Sequence, residues 1–147
     1  MPNNAIFSYK TIPIGSILIT PAAEHEKYFT SIDTLSTSVR ELIASPRTGA
    51  YVRGLIKQFD LSEEFAPQIA FLILQVCIGD KALKDMAQTL QAELGVASTT
   101  SQLIAQDLEK ELFQPLLSEL TQYWQQQQQQ INKATGAPNV LDLKNQN

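Results

Sequence analysis

Residues 65–78 read FAPQIAFLILQVCI, and no other stretch restricts the possible folds of this chain as strongly. Between Ile69 and Ile78 only Gln75 is polar. A helix that is apolar around its whole circumference leaves no stripe for solvent, so other elements must enclose it. The run falls short of the ~20 apolar residues needed to span a bilayer. It is also longer than an ordinary buried strand, and length decides between the two. The expectation is therefore the central helix of a soluble helical domain. Burial of each Ile, Leu, Phe or Val contributes about 1.5–3 kcal/mol, and eight such side chains lie in the stretch.

The flanking sequence supplies elements that can do the enclosing. Thr20-Pro21 is a helix start, since Thr can cap and Pro suits a first helical position. Beyond it Tyr28, Ile32, Leu35, Val39 and Leu42 form an apolar seam of period 3.5. This predicts a helix over about 21–44, with a weak point near Ser31–Asp33 where mediocre helix formers crowd. Ser45-Pro46 repeats the start signal, and Val52, Leu55, Ile56 and Phe59 give the next helix one apolar face. Gly49 and Gly54 within it imply the close approach of a neighbouring backbone. Ser62, Glu63 and Glu64 open the central helix, with Ser62 as cap, and Pro67 delays or bends its start. Gly79 ends it in a left-handed cap, and Asp80 is placed to cap the helix that follows. That next helix carries Leu83, Met86, Ala87, Leu90 and Leu94, closes at Gly95, and is expected to form a tight hairpin with the central one. A last helix begins at Ser98 or Ser101 and runs through the glutamine tract Gln125–Gln130 to about Ala134. Its apolar residues include Leu103, Ile104, Leu108, Leu112 and Leu116. Pro115 lies inside it, lacks an N–H and clashes with the preceding turn, so a kink is predicted near 111–115.

Two segments do not fit a helical pattern. Residues 5–19, AIFSYKTIPIGSILI, suggest two short β segments joined at Pro13-Ile14-Gly15. A two-stranded ribbon is marginal alone, so it has to pack on the helices or pair with another chain. The competing view is a signal peptide, but its apolar stretch is short and interrupted by Pro13, Gly15 and Ser16. After Gly136-Ala137-Pro138, the tail carries Val140, Leu141 and Leu143 in alternation with polar residues, which suits a docking strand. The predicted organisation is a β-like segment over 1–20, a helical domain over 21–134 and a flexible tail over 135–147. The fold class is all-α: a compact bundle of about five helices with a long, Pro-kinked C-terminal helix.

The chemistry-bearing residues are sparse. His25 is the single histidine, and it sits between Glu24 and Glu26, whose side chains lie on other helix faces. It is expected to be a solvated surface residue. Cys77 is the single cysteine and lies inside the apolar run. Burial disfavours its reactive thiolate, and one cysteine in a buried place fits a reducing, cytoplasmic compartment. Asp107, Glu109, Glu111 and Glu119 suggest a solvated helix face. No phosphate-binding loop, dinucleotide fingerprint, calcium loop or paired-cysteine zinc spacing occurs. The sequence therefore predicts no enzyme, no cofactor and no metal site.

Charge distribution offers a second possibility. The net charge is −4, yet residues 1–57 carry six Lys/Arg against four Asp/Glu and residues 58–147 five against eleven. Arg40, Arg47, Arg53 and Lys57 cluster near the helix start at Ser45-Pro46, where free backbone N–H groups can hold an anion. The leading expectation is a non-enzymatic interaction or adaptor module that self-associates; the alternative is an anion- or nucleic-acid-binding protein using residues 40–57. An acidic chain makes nucleic acid the less favoured partner, and no membrane contact is expected. The expected self-association seam is Phe113, Leu117, Leu120, Trp124, Gln127 and Ile131, at heptad spacing. The same residues could instead fold back on the central helix within one chain.

Overall fold

A computed structural model describes residues 10–135, with side chains as far as Gln129. Residues 5–9 of the expected β-like segment, the side chain of Ile131, and the tail with Val140, Leu141 and Leu143 lie outside the described residues. Among the described residues there is no strand. The described residues form the α-helices α1 (His25–Asp33), α2 (Thr37–Ala44), α3 (Pro46–Gln58), α4 (Ala66–Cys77), α5 (Met86–Leu94), α6 (Ser98–Leu108) and α7 (Leu117–Thr135). Among the described residues no helix is long and apolar enough to cross a membrane.

The central helix is α4, and the other elements are arranged around it. Ile69, Ala70, Ile73, Leu74, Val76 and Cys77 have no exposed surface. A narrow edge formed by Gln68, Phe71 and Gln75 is only half-buried, so the enclosure has one thin seam. Phe71 meets Tyr28 of α1 edge-on, with ring centroids 5.4 Å apart and planes at 81°. Pro67 stands at the start of the helix, where its missing N–H removes no helical bond. Ser62 does not cap α4 directly. A 3-10 turn over Glu63–Phe65 intervenes, and its Ser62 hydroxyl makes no capping bond.

Instead of a second β segment, residues Gly15–Ile19 form a 3-10 helix that packs on α4. Its start follows from Pro13-Ile14-Gly15: the Ser16 hydroxyl donates to the Pro13 carbonyl at 2.5 Å, which folds the chain into a turn where extension was expected. The Ile14 N–H donates to the Ile43 carbonyl at 2.8 Å, tying the segment to the end of α2. Ile17 is inserted into the core, as packing against the helices requires.

The helix expected over 21–44 is two helices. The break falls at Thr34–Ser36, just past the weak point, and Ser36 restarts the chain by accepting the Val39 N–H. Gly49 lies against the N-terminal turn, where an added Cβ would come within 3.0 Å of Ile12 Cγ1 and Thr11 Oγ1. Side chains, and not a backbone, make that close approach. Gly54 meets nothing within 4 Å, so no packing reason applies to it.

Gly79 and Gly95 are left-handed, at φ 87° and 69°. Asp80 does not cap α5, which begins only at Met86 after a 3-10 turn over Leu83–Asp85. Leu83 is consequently half-buried on that turn. The closest helix pairing is α5 with α6, not α5 with α4. Pro115 has the expected effect: the chain passes from α6 through a π-helical turn (Glu109–Phe113) and a 3-10 turn (Gln114–Leu116) into α7. Removing one N–H and crowding the preceding carbonyl spreads the disturbance over both turns.

Candidate functional site

Among the described residues the large apolar side chains that stay exposed are Leu18 (52%), Ile19 (42%), Phe29 (46%) and Leu103 (48%). Leu18 and Ile19 end the 3-10 helix, and Phe29 lies on α1; these two elements pack against each other. A 3-10 helix that buries Ile17 necessarily turns neighbouring residues outward, which is why the apolar run of 17–19 cannot all reach the core. On α1 Glu26 and Lys27 are also exposed, and the Lys27 ammonium sits 5.0 Å from the Tyr28 ring centroid. His25 is part-buried here, and its Nε2–H donates to the Thr20 carbonyl at 3.0 Å, bridging the 3-10 helix to α1. It is a structural link and not the free surface residue expected.

A second feature is an open cleft of about 370 Å³ between α2, α3 and the irregular turns after α6. Leu42, Leu112 and Leu116 form its apolar floor, with Glu41, Arg47 and Glu111 on the rim and Tyr51 on the wall. The Tyr51 hydroxyl donates a short hydrogen bond to Asp107 Oδ1. Burial, the Asp107 bond, and the charges of Asp107 and Glu111 all raise the Tyr51 pKa above its ordinary 10.0. Asp107 is thus part of an α3–α6 link, and not a solvated face residue. Leu103, one of the apolar residues of the last helix, faces out.

The four basic residues do not gather at one point. Arg47 lines the cleft, whereas Arg53 Nη1 donates to Thr11 Oγ1 at 2.8 Å on the N-terminal turn. Arg40 and Lys57 are exposed. At the start of α3 the Arg47 N–H is taken by the Ser45 hydroxyl at 3.1 Å, and the Thr48 N–H by the Ser45 carbonyl at 3.1 Å. The donors expected to greet an anion are therefore largely engaged within the chain.

The proposed association seam points inward along most of its length. Phe113 and Leu120 are fully buried, Leu117 and Gln127 half-buried. Trp124 Nε1–H donates to the Val76 carbonyl at 2.9 Å, at the end of α4, and its ring lies against Gly79. The intrachain arrangement that the seam allowed is the one found. Tyr123, an apolar residue of the last helix outside the heptad seam, is also buried and hydrogen-bonds the Thr34 hydroxyl at 3.1 Å, joining α7 to the α1–α2 break. Cys77 is fully buried, and burial pushes its thiol up to about 12. Among the described residues no group of three or more His, Cys, Asp or Glu is placed to hold a metal ion. Set beside known proteins, the chain matches no family model, no curated protein and no solved structure.

Proposed function

We propose that this chain is a non-enzymatic protein–protein interaction module that associates with a second copy of itself. The observation that carries this reading is the face made by Leu18, Ile19 and Phe29, three large apolar side chains left in solvent on two packed elements. Exposed apolar surface on two adjoining elements favours protein contact. The flanks suit a two-fold contact in particular. Glu26 and Lys27 have opposite signs and lie three and two residues before Phe29, so an isologous arrangement can set each against the opposite charge on the other copy. The heptad residues of the C-terminal helix contribute elsewhere, since Phe113, Leu120 and Trp124 are committed to the chain's own core.

Sedimentation of the full chain at about 5 and 100 µM tests this, the range in which a modest apolar interface acts. A dimer at the higher concentration is expected, and Leu18→Ser with Phe29→Ser should return it to monomer with an unchanged helical spectrum. A monomer at both concentrations, or a dimer indifferent to both substitutions, overturns the proposal.

A further inference from the structure

We propose that the cleft between α2, α3 and the 109–116 break binds a short peptide segment of a partner protein in which a lysine or arginine stands beside an apolar side chain. The cleft is a different surface from the Leu18–Phe29 face, so either proposal can fail without the other.

Its floor and rim ask for different things. Leu42 and Leu116 are half-buried, and Leu112 closes the floor beneath them. An apolar side chain, or the alkyl stem of a long cationic one, fits there. Above it, Glu41 from α2 and Glu111 from the π turn are both exposed. Asp107 lies outside the lining and accepts the Tyr51 hydroxyl bond, which fixes that tyrosine in place. Tyr51 lines the cleft together with Glu41 and Glu111, and an aromatic ring beside carboxylates suits a cation. Two carboxylates thus line the cleft against one guanidinium, Arg47. Such complementarity selects the sign of the occupant more than it adds affinity.

The shape narrows the occupant further. The volume of about 370 Å³ lies within the ordinary range for ligand pockets. It is wide open to solvent, so a free small cation would keep most of its surface exposed and gain little. A chain segment lying over the floor adds contacts with both rims. The rims themselves are firm on one side: α3 is held by the Tyr51–Asp107 bond, and Thr48 is buried with its hydroxyl donating to the Leu42 carbonyl at 2.7 Å.

The test uses the full chain at low salt and three dye-labelled, blocked pentapeptides, Ala-Leu-X-Leu-Ala, with X as Arg, Gln or Glu. Fluorescence anisotropy should show saturable binding of the Arg peptide with Kd below about 1 mM, roughly tenfold tighter than the Gln peptide and with the Glu peptide weakest. Glu41→Gln combined with Glu111→Gln should remove most of that preference. Arg47→Gln should strengthen Arg-peptide binding a few-fold. All three positions are exposed, so an unchanged melting curve shows that folding is intact. Absence of saturable Arg-peptide binding overturns the proposal, as does equal binding of the Gln peptide or indifference to the Glu41/Glu111 pair. Preference for the Glu peptide, lost in Arg47→Gln, would make the cleft an anion site instead.

Discussion

Helices α4 and α7 each follow or contain a proline turn, and they depend on their surroundings in opposite ways. In α4 the proline stands in the first turn, where nothing is lost, and nine of its twelve residues are buried. Ahead of α7 the proline falls inside a continuing helix and breaks it into π and 3-10 turns before α-helical geometry resumes. The nineteen-residue α7 then touches the core along one edge, at Leu120, Tyr123 and Trp124, and carries a glutamine face beyond it. Tertiary burial stabilises α4, whereas the outer part of α7 rests mostly on intrinsic propensity, to which glutamine is well suited. A helix enclosed on nearly all sides has no surface to offer a partner. Contact must come from elements that are only partly enclosed.

The sharpest way to break this contrast is to place a charge on each helix. Ile73→Asp puts an unpaired carboxylate where no water reaches, and the cooperative thermal transition should be lost. Ser118→Asp on the exposed side of α7 should change stability by no more than about 0.5 kcal/mol. An intact transition in the first variant would mean that α4 faces an open groove.

A thiol makes the same comparison through its chemistry. Cys77 should resist a thiol reagent at pH 8, while a cysteine introduced by Gln125→Cys on α7 should react readily. The raised Cys77 pKa also sets a direction for stability. In the unfolded chain the thiol ionises near its ordinary 9.0, and in the folded protein only near about 12, so the folded state holds the proton longer. Its contribution is fully present below pH 9 and is lost as pH rises toward 12, at up to about 1.4 kcal/mol per pH unit. Urea midpoints from pH 8 to 11 should fall, and fall less steeply in Cys77→Ala.

An indole hydrogen bond joins the two helices. Trp124→Phe keeps the aromatic packing but leaves α7 without its N–H donor to the Val76 carbonyl. The expected loss is about 1–2 kcal/mol in urea unfolding. No loss would show that shape alone holds α7 in place.

On α3 the contrast between an enclosed and an open position recurs on a smaller scale. Gly49→Ala presses on Thr11 and Ile12 and should destabilise, because the Thr11 hydroxyl is held by Arg53. Gly54→Ala meets nothing and should stabilise by about 0.5–1 kcal/mol. Thermal midpoints of the two variants, moving in opposite directions, check this.

Much of the helical framework was legible in the sequence because it rests on local signals. The apolar run at 69–78, the start at Ser45-Pro46, the left-handed Gly79 and Gly95, and the break before Pro115 each follow from a few adjacent residues. What depended on distant contacts was not legible. The Ile, Phe and Tyr content of 5–19 suggests strands, yet in the described part the Ser16–Pro13 bond and packing of Ile17 on α4 favour a 3-10 helix. Heptad spacing at Phe113–Trp124 indicates a buried seam without saying whose surface buries it; the Val76 carbonyl answers that. The cleft was hidden for the same reason. Its two acids come from α2 and the π turn, seventy positions apart, and Tyr51 finds Asp107 only once α3 and α6 are packed. The one hint was the acidic second half of the chain set against a basic first half.

Native-state hydrogen exchange tests the contrast between the two helices most directly. Amides of Ile69–Cys77 should exchange only through global unfolding, with protection equal to the full unfolding free energy, while those of 126–135 should exchange far faster through local opening. Equal protection in the two segments, or local opening of α4 well below the global value, would contradict the account.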